Sequence, residues 1–325
     1  MGDILSLAAN NLISPIILSF VLGVVAALAR SDLTIPEAVA KGMSIYLLFA
    51  IGFKGGAGVA AHGVDGTLIA TIIAGLVLSF SLPFIAFYLL RVLTPLDVVE
   101  RAAVAAHYGS ISIVTFVAAT SVLQGRGLDP EGYMVAVAAI MEAPAILSAL
   151  WLVSRSSTKA NVDAGLYREI LFNGSIVLLV GSFLIGVITG EEGLAKISSF
   201  IVAPFQGVLC LFLLDMGLVA GRGLRDSRSD LGAGAVVFGI VMPLIGASIG
   251  LIAALIVGLS AGGAALLMTL AASASYIAVP AAMRVALPEA RPSIYLTLSL
   301  GITFPFNLTI GIPVYAALAG TFAGG

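Results

Sequence analysis

Two short segments hold most of the side chains that could bind a ligand, His107–Thr115 and Ala272–Pro280. Each lies within a long apolar run and combines hydroxyl side chains with Gly or Pro, which weaken a helix. Backbone that leaves a helix inside hydrocarbon must face protein or a watery cavity, because lipid offers it no hydrogen bond. Paired interruptions in corresponding places of two halves therefore predict a binding site.

A break in either segment would expose backbone amides at a half-helix N-terminus, where the positive end of the helix dipole suits a small anion. We predict that the substrate-binding residues are Gly109, Ser110, Ser112, Ala274, Ser275 and Tyr276. The alternative is close helix packing, since small residues also let membrane helices approach one another. For Tyr276 the alternative is a packed ring whose hydroxyl bonds to a carbonyl.

Glu142 is the single residue with the strongest chemical signal, because it interrupts an otherwise uncharged apolar run. An acidic group in mid-membrane costs about 2.5–3.5 kcal/mol on insertion scales, so it should face a partner or an aqueous site. Neutral oxygens elsewhere could complete a site for a hard cation around it. We predict Na⁺ as coupling ion, with no other metal or cofactor, bound by Thr115, Glu142, Ser273, Thr303 and Asn307. The alternatives are a proton carrier and a structural carboxylate.

The composition places these residues in a membrane protein. The chain has 325 residues, 60% of them hydrophobic and only 10% charged, with a mean hydropathy of +1.15, whereas soluble domains carry about 25% charged residues. The single Cys210 excludes a disulfide framework and a cysteine-based metal site. Because no phosphate-binding loop, Gly-x-Ser-x-Gly motif or acidic cluster is found, we predict that the protein is not an enzyme.

The hydropathy pattern predicts an all-α polytopic protein with ten transmembrane helices, of which the fourth and ninth are broken. A spanning helix needs about 20 largely apolar residues. The predicted spans are 11–29, 36–58, 66–90, 102–122, 132–153, 170–189, 197–220, 231–257, 261–283 and 292–319.

The basic residues predict how the spans are oriented. Alternate connections carry twelve of the fifteen Lys and Arg residues, and the opposite side has only Arg126, Lys196 and Lys54, the last near a span end. Basic loops stay in the cytoplasm. We therefore predict a multi-pass protein of the bacterial inner membrane, with both termini outside the cytoplasm.

The two halves resemble each other at an offset of 165 residues. Ile51–Gly58 matches Met216–Gly223, and Gly109-Ser110 matches Ala274-Ser275, in the same order along the chain. Five spans per repeat is an odd number, so the second repeat must enter the membrane from the opposite side. We predict a first repeat over 1–153, a cytoplasmic linker over 154–169 and an inverted second repeat over 170–325.

The chain resembles the sodium-dependent bicarbonate transporter family of cyanobacteria and its bacterial permease relatives. The likeness is carried by Ile35–Ala38, Ile51–Gly56, Gly109–Ser112 with Thr115, Glu142–Ala145, Ala272–Ile277 with Pro280 and Arg284, and Pro313–Tyr315. It implies a core domain from spans 3, 4, 5, 8, 9 and 10 and a gate domain from spans 1, 2, 6 and 7. It also implies a homotrimer, bicarbonate beside Na⁺ at the crossing broken helices, and a regulator of the PII type on the cytoplasmic side.

The chain departs from the cyanobacterial pattern inside the predicted site. That pattern has Gly-Ser in place of Ile113-Val114, and Asp in place of both Tyr276 and Glu142. Our hypothesis is a secondary active transporter that imports a small anion, such as bicarbonate, together with Na⁺ by alternating access. The alternatives are a Na⁺-coupled carboxylate symporter or a cation/proton antiporter on the same scaffold, and a passive anion channel.

Overall fold

The computed structural model describes residues 13–63, 65–142, 144–154, 174–226 and 232–323, and within these ranges it contains helices and no strand. The helices are α1 Pro15–Leu28, α2 Glu37–His62, α3 Gly66–Leu93, α4 Val98–Gly109, α5 Ile113–Gln124, α6 Met134–Ile140, α7 Pro144–Ser154, α8 Gly174–Ile201, α9 Phe205–Asp226, α10 Ala233–Val257, α11 Ala261–Ala272, α12 Ala278–Ala286 and α13 Pro292–Phe322. Helix α13 contains two π-helical stretches, Thr297–Thr303 and Asn307–Gly311.

The all-helical membrane fold predicted from the sequence is confirmed, and the count of ten spans is not. Among the described residues, eight helical segments are long and apolar enough to cross a membrane. Helices α1 and α11, with 14 and 12 residues, lie within predicted spans but are too short to cross alone. The division into two repeats, a core and a gate stays a prediction, and the linker residues 155–169 lie outside the described ranges.

The predicted end of span six at residue 189 agrees with a break in α8, whereas the predicted start of span seven at residue 197 is wrong, because α9 begins only at Phe205. Gly190 has a non-helical backbone conformation, with φ of 59° and ψ of −153°, so α8 consists of two helical parts that meet at this residue. The second, more polar part continues to Ile201. There Lys196 pairs with Glu192 one turn away, at 2.8 Å between Nζ and Oε1. This short helical part lies where the sequence predicts the loop between the two spans.

The broken segments lie at the centre of the molecule. Residues 102–119 and 262–276 are buried without exception, although they include Ser, Thr and His. The outer helices α1, α3, α8 and α10 instead expose rows of Leu, Ile and Val, which suits contact with lipid. Thus the segments that contain the helix breaks are surrounded by protein, while the outer helices turn apolar side chains outward.

Glycines bring two pairs of outer helices into backbone contact. Helix α1 packs on α9 through Gly23 and Gly217, and α2 packs on α8 through Gly56 and Gly186. A Cβ atom built at any of the four would collide with a carbonyl oxygen of the partner helix. Each of these pairs joins one helix from each half of the chain, so the two halves are packed together on both sides.

The buried carboxylate of Glu100 and the half-buried carboxylate of Glu131 add polar connections between the halves. Glu100 in α4 bonds to Arg291 before α13, with 2.7 Å between Oε1 and Nε and 3.3 Å to the Arg291 amide. Glu131 before α6 accepts a bond from the Ser260 amide before α11, at 2.8 Å. Each bridge links the start of a broken helix to the start of a neighbouring helix from the other half.

The glycine contacts predict a stability difference between two alanine variants of the same helix pair. Gly56→Ala should lower the thermal unfolding temperature in detergent, because overpacking against the Phe183 carbonyl costs about 1–3 kcal/mol. Gly181→Ala in α8 is the matched control, since a Cβ there meets no atom within 4 Å, and Ala stabilises a helix interior by about 1 kcal/mol relative to Gly. An equal shift in both variants would contradict the packing account.

Candidate functional site

Both predicted helix breaks are present. Helix α4 ends at Gly109 and α5 begins at Ile113, and the capping residues Ser110 and Ser112 have extended backbone conformations. Helix α11 ends at Ala272 and α12 begins only at Ala278. The Ser112 hydroxyl caps α5 by accepting a bond from the Thr115 amide at 3.2 Å. A Cβ at Gly109 would collide with the Pro83 ring of α3, so Gly109 lets the end of α4 approach α3 closely.

The two breaks satisfy each other's backbone groups. The Ser112 amide donates to Ser273 Oγ at 3.0 Å. The Ser275 amide donates to the carbonyl oxygens of His107 at 2.7 Å and Ser110 at 3.2 Å. Such mutual bonding meets the requirement that buried backbone groups be paired. It places the two segments predicted from sequence side by side.

A small cavity lies against the crossing. It is lined by Ser44, Leu48, Ile111, Ser112, Ile113, Glu142, Ser275, Tyr276 and Ile277. Its volume is about 10 Å³, which is room for a single water molecule or bare ion. Three of the predicted substrate residues, Ser112, Ser275 and Tyr276, therefore share this cavity with the predicted cation ligand Glu142.

Two polar side-chain atoms at the cavity and the first break lack hydrogen-bond partners among the described residues. Glu142 is 3% exposed, and its Oε2 is buried without a hydrogen-bond partner among the described residues. The same is true of Ser110 Oγ in the first break. A carboxylate left in this state is costly, since a buried charge requires a partner. A bound cation beside Glu142 would supply that partner.

The remaining predicted residues lie near the crossing but make other bonds. Thr303 Oγ1 donates to the Gly239 carbonyl at 2.7 Å and, having no second proton, accepts from the Tyr108 hydroxyl at 2.6 Å. Asn307 Nδ2 donates to the Ala272 carbonyl at 2.8 Å, at the end of α11. Neither residue lines the cavity. Their cation-binding role, like those of Thr115 and Ser273, stays a prediction.

Helix α2 contributes two cavity residues that sequence reasoning missed. Ser44 and Leu48 lie one turn apart and line the side of the cavity opposite the breaks. The available signal was one hydroxyl within an apolar span, which is too common to single out a ligand-binding position. Their presence means that the cavity is bounded on one side by a helix that packs mainly on α8 and makes only a small contact with the broken helix α5.

His107 has a structural environment at the first break. Its Nδ1 lies 2.6 Å from the Ala103 carbonyl oxygen, which can only accept, so Nδ1 carries the proton. The ring stacks on Tyr295, with 4.5 Å between centroids and 25° between planes. These contacts fix the end of α4, whose carbonyl at His107 receives the Ser275 amide.

Comparison with known families agrees with the resemblance seen in the sequence. A family model described as the Na⁺-dependent bicarbonate transporter superfamily matches residues 15–320. The match covers nearly the whole chain, so the chain belongs to this superfamily. A search of curated proteins gave no match.

The bond between the two breaks predicts the effect of one hydroxyl deletion. Ser273→Ala leaves the buried Ser112 amide without its acceptor, which should destabilise the fold by about 1–3 kcal/mol and lower the unfolding temperature. Ser248→Ala is the control, because that exposed hydroxyl bonds only within its own helix, to the Leu244 carbonyl. If the Ser273→Ala and Ser248→Ala proteins unfolded at the same temperature, the bond between the two breaks would contribute nothing to stability.

Proposed function

We propose that this superfamily member is a secondary active transporter that couples import of a small anion, with bicarbonate the best candidate, to inward movement of Na⁺. The observation that carries the proposal is the unpartnered carboxylate of Glu142 in a cavity formed at two helix breaks. The cavity lining is otherwise hydroxyl and apolar, with no Lys or Arg. All its polar ligands are oxygens, the type that alkali and alkaline-earth ions prefer.

Electrostatics explains why the anion would need Na⁺. Two like charges 5 Å apart repel by about 3 kcal/mol at an effective dielectric constant near 20. This is a loss of roughly 100-fold in affinity for an anion that approaches an uncompensated Glu142. Na⁺ bound at the carboxylate cancels the repulsion and adds attraction. The two ligands should then bind with positive coupling, and by linkage each raises the affinity for the other equally.

The size of the cavity supports a mechanism that includes a conformational change. Bicarbonate has four heavy atoms and does not fit a space for one water molecule. The wall formed by Ser44 and Leu48 of α2 would have to withdraw from the breaks for the anion to enter. In the proposed scheme, two inverted five-span repeats form a core and a gate, and the gate helices α1, α2, α8 and α9 move against the core.

The assembly and the setting are part of the same proposal. We infer a homotrimer in the bacterial inner membrane, with both termini outside and a regulator of the PII type on the cytoplasmic side. The support is the family resemblance and the distribution of basic loops. The second candidate function is cation/proton antiport, which is favoured by one observation. Glu142 is buried with a free oxygen, and a carboxyl in that state can also carry a proton.

Proteoliposomes separate these functions directly. We expect labelled bicarbonate uptake to require an inward Na⁺ gradient and to fall to background when K⁺ replaces Na⁺. Glu142→Gln should raise the Na⁺ concentration for half-maximal uptake about tenfold or more, since it removes the only charged ligand. Glu192→Gln, an exposed carboxylate paired with Lys196, is the control and should retain the parental titration. Uptake indifferent to Na⁺, or an unchanged Glu142→Gln titration, would exclude this mechanism.

Thermal stability gives a second measurement that does not depend on turnover. At fixed pH and ionic strength, sodium bicarbonate should raise the unfolding temperature by more than the sum of the shifts from sodium chloride and potassium bicarbonate. A ligand stabilises the state it binds, and positive coupling makes the combined shift exceed that sum. Additive shifts would mean that the ions bind independently. Proton release on Na⁺ addition would favour the antiporter.

A further inference from the structure

A separate pocket, the α2 pocket, lies between α2, α5, α6, α9 and α11. Its volume is about 130 Å³, which is room for several water molecules. Its lining includes Ile51, Lys54 and Gly55 of α2, and Phe116, Thr120 and Gln124 of α5. This pocket is large enough for a small hydrated anion in the conformation described.

The α2 pocket continues the seam on which the small cavity lies. Along α2, the two are lined by Ser44, Leu48, Ile51 and Gly55, a spacing of four, three and four residues. Along α5, they are lined by Ile113, Phe116, Thr120 and Gln124, a spacing of three, four and four. Each series is one face of a helix, so the pocket and the cavity lie one to two turns, or about 5–10 Å, apart along the same two helices.

A second pocket, the α9 pocket, has the corresponding place in the other half. It is about 340 Å³ in volume, and is lined by Val219, Ala220, Arg222, Gly223, Ser293, Leu296, Thr297, Leu300 and Gly301. Lys54 and Gly55 correspond to Val219 and Ala220 at the repeat offset of 165 residues. The offset also relates Val135 of the α2 pocket to Leu300 of the α9 pocket.

The two pockets lie at opposite ends of the molecule. Ser293, at the start of α13, lines the α9 pocket. Phe322, at its end, lines a wide cleft together with Pro130 and Glu131, which also line the α2 pocket. Because α13 has 31 residues, its ends are about 45 Å apart. The pockets therefore open toward opposite faces of the membrane.

Each pocket contains one basic side chain. Lys54 Nζ lies 5.6 Å from the centroid of the Phe205 ring, and Arg222 Nη2 donates to the Leu33 carbonyl at 3.0 Å. Among the described residues, neither lies within ion-pair distance of a carboxylate, although Arg222 interacts electrostatically with the buried Asp215 two turns earlier in α9. The acidic residue in the α2 pocket, Glu131, accepts a bond from the Ser260 amide through Oε1, while its Oε2 has no hydrogen-bond partner among the described residues. Both cations thus retain donors for an incoming anion.

We propose that the α2 and α9 pockets are the two anion vestibules of the transporter, with Lys54 and Arg222 as their anion-attracting groups. The identity of the anion rests on the proposed function, while the location of the vestibules does not. A fixed cation outside the binding cavity raises the local anion concentration. Because it is absent from the cavity itself, anion binding there still depends on Na⁺, and the anion can leave.

Cysteine chemistry in sided vesicles tests the locations without any transport measurement. Cys210 is the only cysteine, so Cys210→Ala gives a clean background for Thr120→Cys in the α2 pocket and Ser293→Cys in the α9 pocket. With membrane-impermeant thiosulfonates, we expect each cysteine to react from one face only, and the two from opposite faces. Reaction of both from the same face, or of neither, would overturn the proposal.

Paired reagents test the charges. For Thr120→Cys, the ratio of the reaction rate with an anionic thiosulfonate to that with a cationic one should fall about fivefold or more when Lys54→Gln is added. The reason is that one unit charge at 4 Å changes the rate of encounter with a charged reagent by about that factor even in water. Arg222→Gln should do the same for Ser293→Cys. Lys196→Gln, at an exposed surface lysine, should leave the Thr120→Cys ratio unchanged. Ratios insensitive to Lys54 and Arg222 would overturn the proposal.

A transport measurement then separates this inference from the proposed function. Lys54→Gln should raise the KM for external bicarbonate severalfold with little change in kcat, whereas Lys196→Gln should retain both parental values. Parental KM in Lys54→Gln would overturn the role of Lys54. If the unaltered protein took up no bicarbonate while the reagent ratios responded as expected, the result would support the two vestibules and contradict bicarbonate as the substrate.

Discussion

The structure depends on one requirement, that backbone released from a helix in the membrane interior must be hydrogen-bonded by protein. Two segments of this chain leave the helix at mid-length, and each supplies the partners that the other lacks. The Ser112 amide bonds to Ser273, and the Ser275 amide bonds to the carbonyls of His107 and Ser110. The breaks cannot be stable separately, because each unpaired buried group costs several kcal/mol in hydrocarbon. Their crossing therefore fixes how the two halves meet and explains why they form the most buried part of the chain.

The same crossing creates the setting for Glu142. Helices α6 and α7 are separated by an interruption that begins at Met141, whose carbonyl is bonded by Ser79 of α3 at 2.7 Å. Glu142 follows directly and lines the cavity against both breaks, with an oxygen free. Asn307 meanwhile holds the Ala272 carbonyl that α11 leaves unpaired at its end. The neutral polar residues thus stabilise the broken backbone, while one oxygen of Glu142 has no hydrogen-bond partner among the described residues.

The sequence alone predicted the two interruptions and the position of Glu142 beside them, because clusters of hydroxyl residues with Gly or Pro weaken a helix and a carboxylate in an apolar run is costly. It did not predict the hydrogen-bond partners of Thr303 and Asn307, since the bonds to Gly239 and Ala272 join residues 64 and 35 positions apart. Periodicity cannot identify such partners. Ser44 was missed for the related reason that a cavity wall is defined by tertiary packing. The short helical part of α8 beyond the break at Gly190 was missed, because it contains charged residues, including the Glu192–Lys196 ion pair, and averaged hydropathy predicts a loop there.

The distribution of rigid contacts indicates where the molecule can move. Glycine contacts lock α1 on α9 and α2 on α8, while the bonds of Glu100 and Glu131 fasten the starts of the broken helices to their neighbours. Both groups of contacts join the two halves of the chain, but the cavity lies between the groups. There α2 presents Ser44 and Leu48 to the breaks, and the cavity holds only one water molecule. In the proposed scheme, two bodies, one held by the glycine contacts and the other by the bonds of Glu100 and Glu131, shift along this seam without breaking the bonds that satisfy the helix breaks. The ligand-binding atoms would then stay in place while access changes, as alternating access at a fixed site requires.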